Sequence, residues 1–130
     1  MCWALYAASD MELPIIAWDN SAPAFYTSQP DAHEARVKCQ FSLSNIVYLG
    51  SHEGCGCGFF NDDEPLAQAN SCSALADYLA LARSSGAALE VFLCWEGGQG
   101  NPASTRTQLS AAEFKSQPFP LAEDQFASII

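Results

Sequence analysis

Two apolar runs with little alternation, Ile46-Val47-Tyr48-Leu49 and Leu89-Glu90-Val91-Phe92-Leu93-Cys94-Trp95, flank the strongest helical pattern in the chain, and this limits the fold more than any other feature. Runs of this kind are strands covered on both faces. Between them Leu75, Tyr78, Leu79 and Ala82 repeat at i, i+3, i+4 and i+7, with Asn70 or Ser71 as N-cap and Gly86 as a C-terminal stop. The spacing predicts one main helix over about residues 71–85, with Cys72 on its buried stripe. Strand, helix and strand in this order make a βαβ unit with a right-handed crossover, provided the two strands pair in parallel in one sheet. Both strands then end at one edge.

The remaining segments read as additions to that core. Residues 2–8, 15–18 and 24–27 are predicted strands separated by turn residues, which makes the N-terminal third a small antiparallel meander. Residues 35–41 alternate, with Val37, Cys39 and Phe41 on one side and Arg36, Lys38 and Gln40 on the other. That predicts a half-buried strand with Cys39 on its apolar face. A helix is the alternative here, because Asp31 and Glu34 stand at capping-box spacing after Pro30. Ser110 and Glu113 have the same spacing for a short helix, Pro118 and Pro120 break it, and residues 125–130 form a candidate last strand. No repeat or linker interrupts the pattern, so residues 1–130 are read as a single α+β or α/β domain. An apolar share of 49% against 15% charged is a globular composition.

Charge narrows the partners. Fifteen acidic residues face five scattered basic ones, for a net charge of −10. Polyanion binding draws its energy from neutralised phosphates, so the chain is not expected to bind nucleic acid or an anionic membrane. The run Asp62-Asp63-Glu64 reads as a solvated loop or helix start. The first basic residue is Arg36, so no secretory leader is expected, and no stretch approaches a membrane span. Six cysteines without a leader point to a reducing cytoplasm, where thiols serve packing, metal binding or catalysis. Self-association through an apolar face remains open.

Ligand sites in open sheets form beyond the carboxyl ends of the strands. Those ends carry the richest chemistry in the chain: Gly50-Ser51-His52-Glu53-Gly54-Cys55-Gly56-Cys57-Gly58-Phe59 after the first run, and Cys94-Trp95-Glu96 at the end of the second. Residues 50–70 are also long for a structureless connection, which favours function. Glycines at 50, 54, 56 and 58 allow a tight fold or close backbone approach to a ligand. A phosphate loop is excluded, since Lys and Ser/Thr are missing where that motif needs them.

Three readings of the thiols follow. In the first, Cys55 and Cys57 bind a metal ion with Cys94 or His52, and soft sulfur donors suit Zn²⁺ or Cu⁺. In the second, one of the pair attacks and the other resolves, a redox reading opposed by the negative charge of Glu53 and the acidic run. In the third, removal of Met1 leaves Cys2 with a free α-amine as its own base. Met1-Cys2 resembles the start of class II glutamine amidotransferases, which implies an N-terminal-cysteine hydrolase, although Trp3 stands where that pattern has glycine. Glu53 and Glu96 are candidate ligand-binding carboxylates, and Trp95 is placed to line the crevice; Trp3 and Trp18 read as packing, and His33 as exposed.

The pattern Gly50-Ser51-x-x-Gly54-Cys55-Gly56-Cys57-Gly58-Phe59, followed by Cys94-Trp95, resembles a group of small bacterial proteins of unknown function. That resemblance implies no substrate, cofactor or catalytic residue. The sequence therefore points to a thiol loop for a metal ion or small ligand. A purely structural Gly-Cys loop in an interaction protein is the alternative, followed by a thiol redox protein and an N-terminal-cysteine hydrolase.

Overall fold

The computed structural model describes residues 1–61 and 63–130, so Asp62 of the acidic run lies outside the described residues. Six strands, β1 (Trp3–Ser9), β2 (Tyr26–Ser28), β3 (Asn45–Gly50), β4 (Leu89–Trp95), β5 (Thr105–Leu109) and β6 (Gln125–Ile129), form one mixed sheet in the order β2-β3-β1-β4-β6-β5. One long helix, α1 (Pro65–Ser84), covers it. The fold is α+β.

The two apolar runs are strands, and they run in the same sense, but they do not pair. Strand β1 lies between them, antiparallel to both, with Leu5 opposite Leu49 and Trp3 opposite Trp95. The crossover through α1 therefore skips over the central strand. The amino end of β1 consequently shares a rim with the carboxyl ends of β3 and β4. The expected N-terminal meander is not formed either: β1 pairs across the chain, 15–18 is irregular, and the short strand of that region is Tyr26–Ser28, against β3.

Both sheet faces are buried, as the unbroken apolar runs require. Leu5, Leu49, Val91 and Leu93 meet Cys72, Leu75 and Leu79 of α1 on one face. Ala4, Tyr6, Phe92 and Cys94 meet Val37 and Phe126 on the other. Helix α1 begins six residues before the predicted start, with Pro65 in its first turn, where a missing N–H costs nothing. At its end Gly86 takes φ +90, its N–H bonds Arg83 O at 3.0 Å and that of Ala87 bonds Ala82 O at 3.1 Å. This is a Schellman stop, for which glycine is suited because it has no Cβ.

The segment 35–41 is not a strand. It belongs to a 3₁₀ helix, Ala32–Gln40, in which the Glu34 carboxylate accepts the Asp31 backbone N–H at 2.8 Å. The same carboxylate accepts the buried Tyr6 hydroxyl, so one side chain both caps the helix and fastens it to the sheet. Cys39 is exposed rather than packed. The second capping box does form, opening a 3₁₀ turn at Ala111–Lys115, where Glu113 accepts Ser110 N–H at 2.7 Å. Strand β5 carried no sequence signal, because four of its five residues are exposed. No helix among the described residues is long and apolar enough to cross a membrane.

Candidate functional site

The glycine-spaced loop folds back on itself around one hydroxyl. Ser51 is fully buried; its Oγ donates to Cys55 O at 2.6 Å and accepts the N–H groups of Glu53 at 3.2 Å and Gly58 at 3.0 Å. Its own backbone N–H bonds Cys55 O at 2.8 Å. The loop so closed turns into a short 3₁₀ segment, Gly56–Phe59, that lies against the start of β1. A Cβ on Gly56 would stand 2.8 Å from Trp3 O, closer than side chains come, so glycine is what permits the approach.

That approach brings three sulfurs together. The Sγ atoms of Cys2, Cys55 and Cys57 all lie within 4.8 Å of one another, each half-buried. Backbone N–H groups point at two of them, Trp3 N–H at Cys57 Sγ (3.3 Å) and Cys57 N–H at Cys55 Sγ (3.4 Å). Such bonds favour a thiolate. Burial has the larger effect at Cys55, whose thiol is pushed up to about 12 despite the Cys57 N–H. Without a metal this group is a neutral thiol.

Beside the sulfurs opens a cleft of about 440 Å³, lined by Cys2 and Cys55, by Tyr26 and Tyr48, and by four carboxylates, Asp31, Glu34, Glu53 and Glu96. Tyr26 donates its hydroxyl to Gly54 O, holding the loop from the β2 side, and burial and the neighbouring Cys55 push that phenol up to about 12. Trp95, expected to line the crevice, instead stacks its ring on Trp3 at 3.6 Å and is not among the described residues that line this cleft. Glu96 N–H bonds Cys2 O at 2.8 Å, which ties the start of β1 to the end of β4.

No family model, curated protein or solved structure matches this chain. The site therefore stands on its own geometry.

The predicted residues divide accordingly. Cys55 and Cys57 sit at the centre, and Glu53 and Glu96 line the adjoining cleft. Cys94 is elsewhere: side chains alternate along β4, and Cys94 points to the face opposite α1, buried beside Ala4 and Tyr6. Burial and nearby acidic groups push its thiol up to about 12. His52 also stays outside the sulfur group. Its Nδ1 pairs with Ser71 Oγ at 2.8 Å and its backbone N–H donates to the same oxygen at 3.1 Å, which fixes the ring against α1. Cys2, read from the sequence as a strand residue or an N-terminal nucleophile, supplies the third sulfur. Tyr26 and Ser51, which position the loop, carried no chemical signal of their own, Ser51 beyond its place in the glycine-rich stretch and Tyr26 beyond its place in a short apolar run.

A second group, Asp31, His33 and Glu34, also brings ligand atoms within 4.8 Å. Asp31 and His33 are exposed, as expected for His33, and the Glu34 oxygens are engaged by the helix start and Tyr6. The sulfur triad is the better-built site.

Proposed function

We propose that this protein binds a soft metal ion, Zn²⁺ or Cu⁺, on Cys2, Cys55 and Cys57, as a small protein of a reducing cytoplasm. The observation that carries the reading is the mutual approach of three sulfurs within 4.8 Å. An ion bonded at about 2.3 Å to each of several thiolates spaces them about 3.8 Å apart, so only a small inward movement is needed. Loss of the thiol proton accompanies such binding, and it is the ion that makes a thiolate at Cys55 favourable. Six free thiols are in keeping with a reducing compartment.

The competing readings draw less support. A reactive redox thiol needs a lowered pKa, whereas Cys55 is raised to about 12. The hydrolase reading takes its base from the Cys2 α-amine freed by removal of Met1, and the approach of two further thiols to that sulfur adds nothing to it. A purely structural loop is favoured by the Ser51 hydrogen bonds, which close it without any ion. The resemblance of the loop to small bacterial proteins adds no activity to any of these. Partners on the metal reading are the ion and small molecules; with net charge −10, nucleic acid is not among them.

Elemental analysis of protein purified without chelator tests this directly. About one Zn or Cu per chain is expected in the wild type and a small fraction of that in the Cys55→Ser/Cys57→Ser double variant. Metal-free wild type that also fails to take up added Zn²⁺ or Cu⁺ leaves the structural reading.

A further inference from the structure

We infer that an ion held by Cys2, Cys55 and Cys57 keeps one coordination position open to the cleft, and that this position takes a small donor molecule bearing a positive charge, of which an aminothiol is the model. The inference rests on the metal reading above and adds what the metal does there.

The donor count comes first. Among the described residues the group that includes Cys55 ends at three sulfurs. His52 is held by Ser71, and Cys94 lies in the core on the far face. A tetrahedral ion has four positions; structural sites fill all four from the protein, and sites that act on small molecules leave one for an outside donor. Cys57 is backed by the Trp3 N–H at 3.3 Å, whereas Cys2 and Cys55 line the cleft, so the free side of the ion faces that space. At about 440 Å³ the cleft admits a small molecule.

The lining then selects by charge. Asp31, Glu34, Glu53 and Glu96 border the cleft together with one imidazole, His33, and among the described residues neither lysine nor arginine does. An ammonium group entering it meets carboxylates and the Tyr26 and Tyr48 rings, which attract cations; a carboxylate of the same size meets repulsion. When a thiol donor binds, the metal–water bond breaks, a metal–sulfur bond forms and the thiol proton passes to solvent. No electrons are transferred.

The probe is the Co²⁺-loaded protein, whose visible d–d bands report the fourth donor and whose sulfur-to-cobalt charge-transfer band reports the triad. Titration with cysteamine and with mercaptopropionate compares an ammonium with a carboxylate on the same two-carbon thiol. Cysteamine should shift the d–d bands at about a tenth of the concentration that mercaptopropionate needs, a difference of about 1.4 kcal/mol. In the Glu53→Gln/Glu96→Gln variant the charge-transfer band should persist and the preference should shrink. Equal response to both thiols, no response, or loss of the charge-transfer band through stripping of Co²⁺ each overturns the inference, while the band that developed on loading keeps the metal reading standing. So does loss of the four-coordinate spectrum in that variant before any thiol is added, because a carboxylate is then the fourth ligand. Failure to develop the charge-transfer band at all sinks the metal reading instead.

Discussion

At the scale of single residues, the candidate site depends on a glycine as much as on its cysteines. Gly56 lets the loop lie against β1, where a Cβ would come within 2.8 Å of Trp3 O. Backbone cannot yield as a flexible side chain does, so Gly56→Ala is expected to move Cys55 and Cys57 away from Cys2. Zn²⁺ affinity should fall about tenfold or more, read by chelator competition, with the far-ultraviolet circular dichroism unchanged. Unaltered affinity would show that the close approach is irrelevant to binding. The glycine spacing made Cys55 and Cys57 legible from the sequence. Cys2 was visible only as an N-terminal thiol, because its place beside them depends on pairing between segments some fifty residues apart.

At the scale of elements, the helix was legible and the 3₁₀ segment was not. The stripe of Leu75, Tyr78 and Leu79 on α1 is buried as its spacing requires, with Leu79 fully enclosed. Leu79→Ala should lower the unfolding free energy by about 2–5 kcal/mol, measured by urea denaturation. A loss under about 1 kcal/mol would mean that α1 is not packed as described. Residues 35–41 show why alternation over a short stretch is weak guidance. Of Val37, Cys39 and Phe41, only Val37 is buried in full, while Cys39 faces solvent. What decided the conformation was Glu34, whose carboxylate serves the helix start and Tyr6 together. The capping-box spacing recorded half of that arrangement; the Tyr6 half came from a strand 28 residues earlier.

At the scale of the whole molecule, burial of acidic protons on both sheet faces sets the response to alkali. Burial raises the Cys94 thiol from its ordinary 9.0 to about 12, and the Tyr26 and Tyr78 phenols from 10.0 to about 12. The unfolded chain ionises at the ordinary values while the folded one does not, so unfolding is increasingly favoured above pH 9. This stabilising contribution is complete below pH 9 and is lost as pH climbs toward 12. The melting temperature should hold near neutrality and drop progressively above pH 9, and Cys94→Ala should flatten the first part of the drop. A melting temperature constant from about pH 7 to about pH 11 would contradict the burial of these groups. The sequence by itself determined which stretches bury both faces, where α1 lies and stops, and that the thiol loop follows β3, since hydrophobic periodicity, glycine and capping chemistry act over a few residues. Only the tertiary structure decided that β1 enters between β3 and β4, and with it that Cys2 rather than Cys94 meets the loop. Strand order follows from the packing of the complete sheet, and side-chain alternation then assigns Cys94 to the far face whatever the local sequence favours.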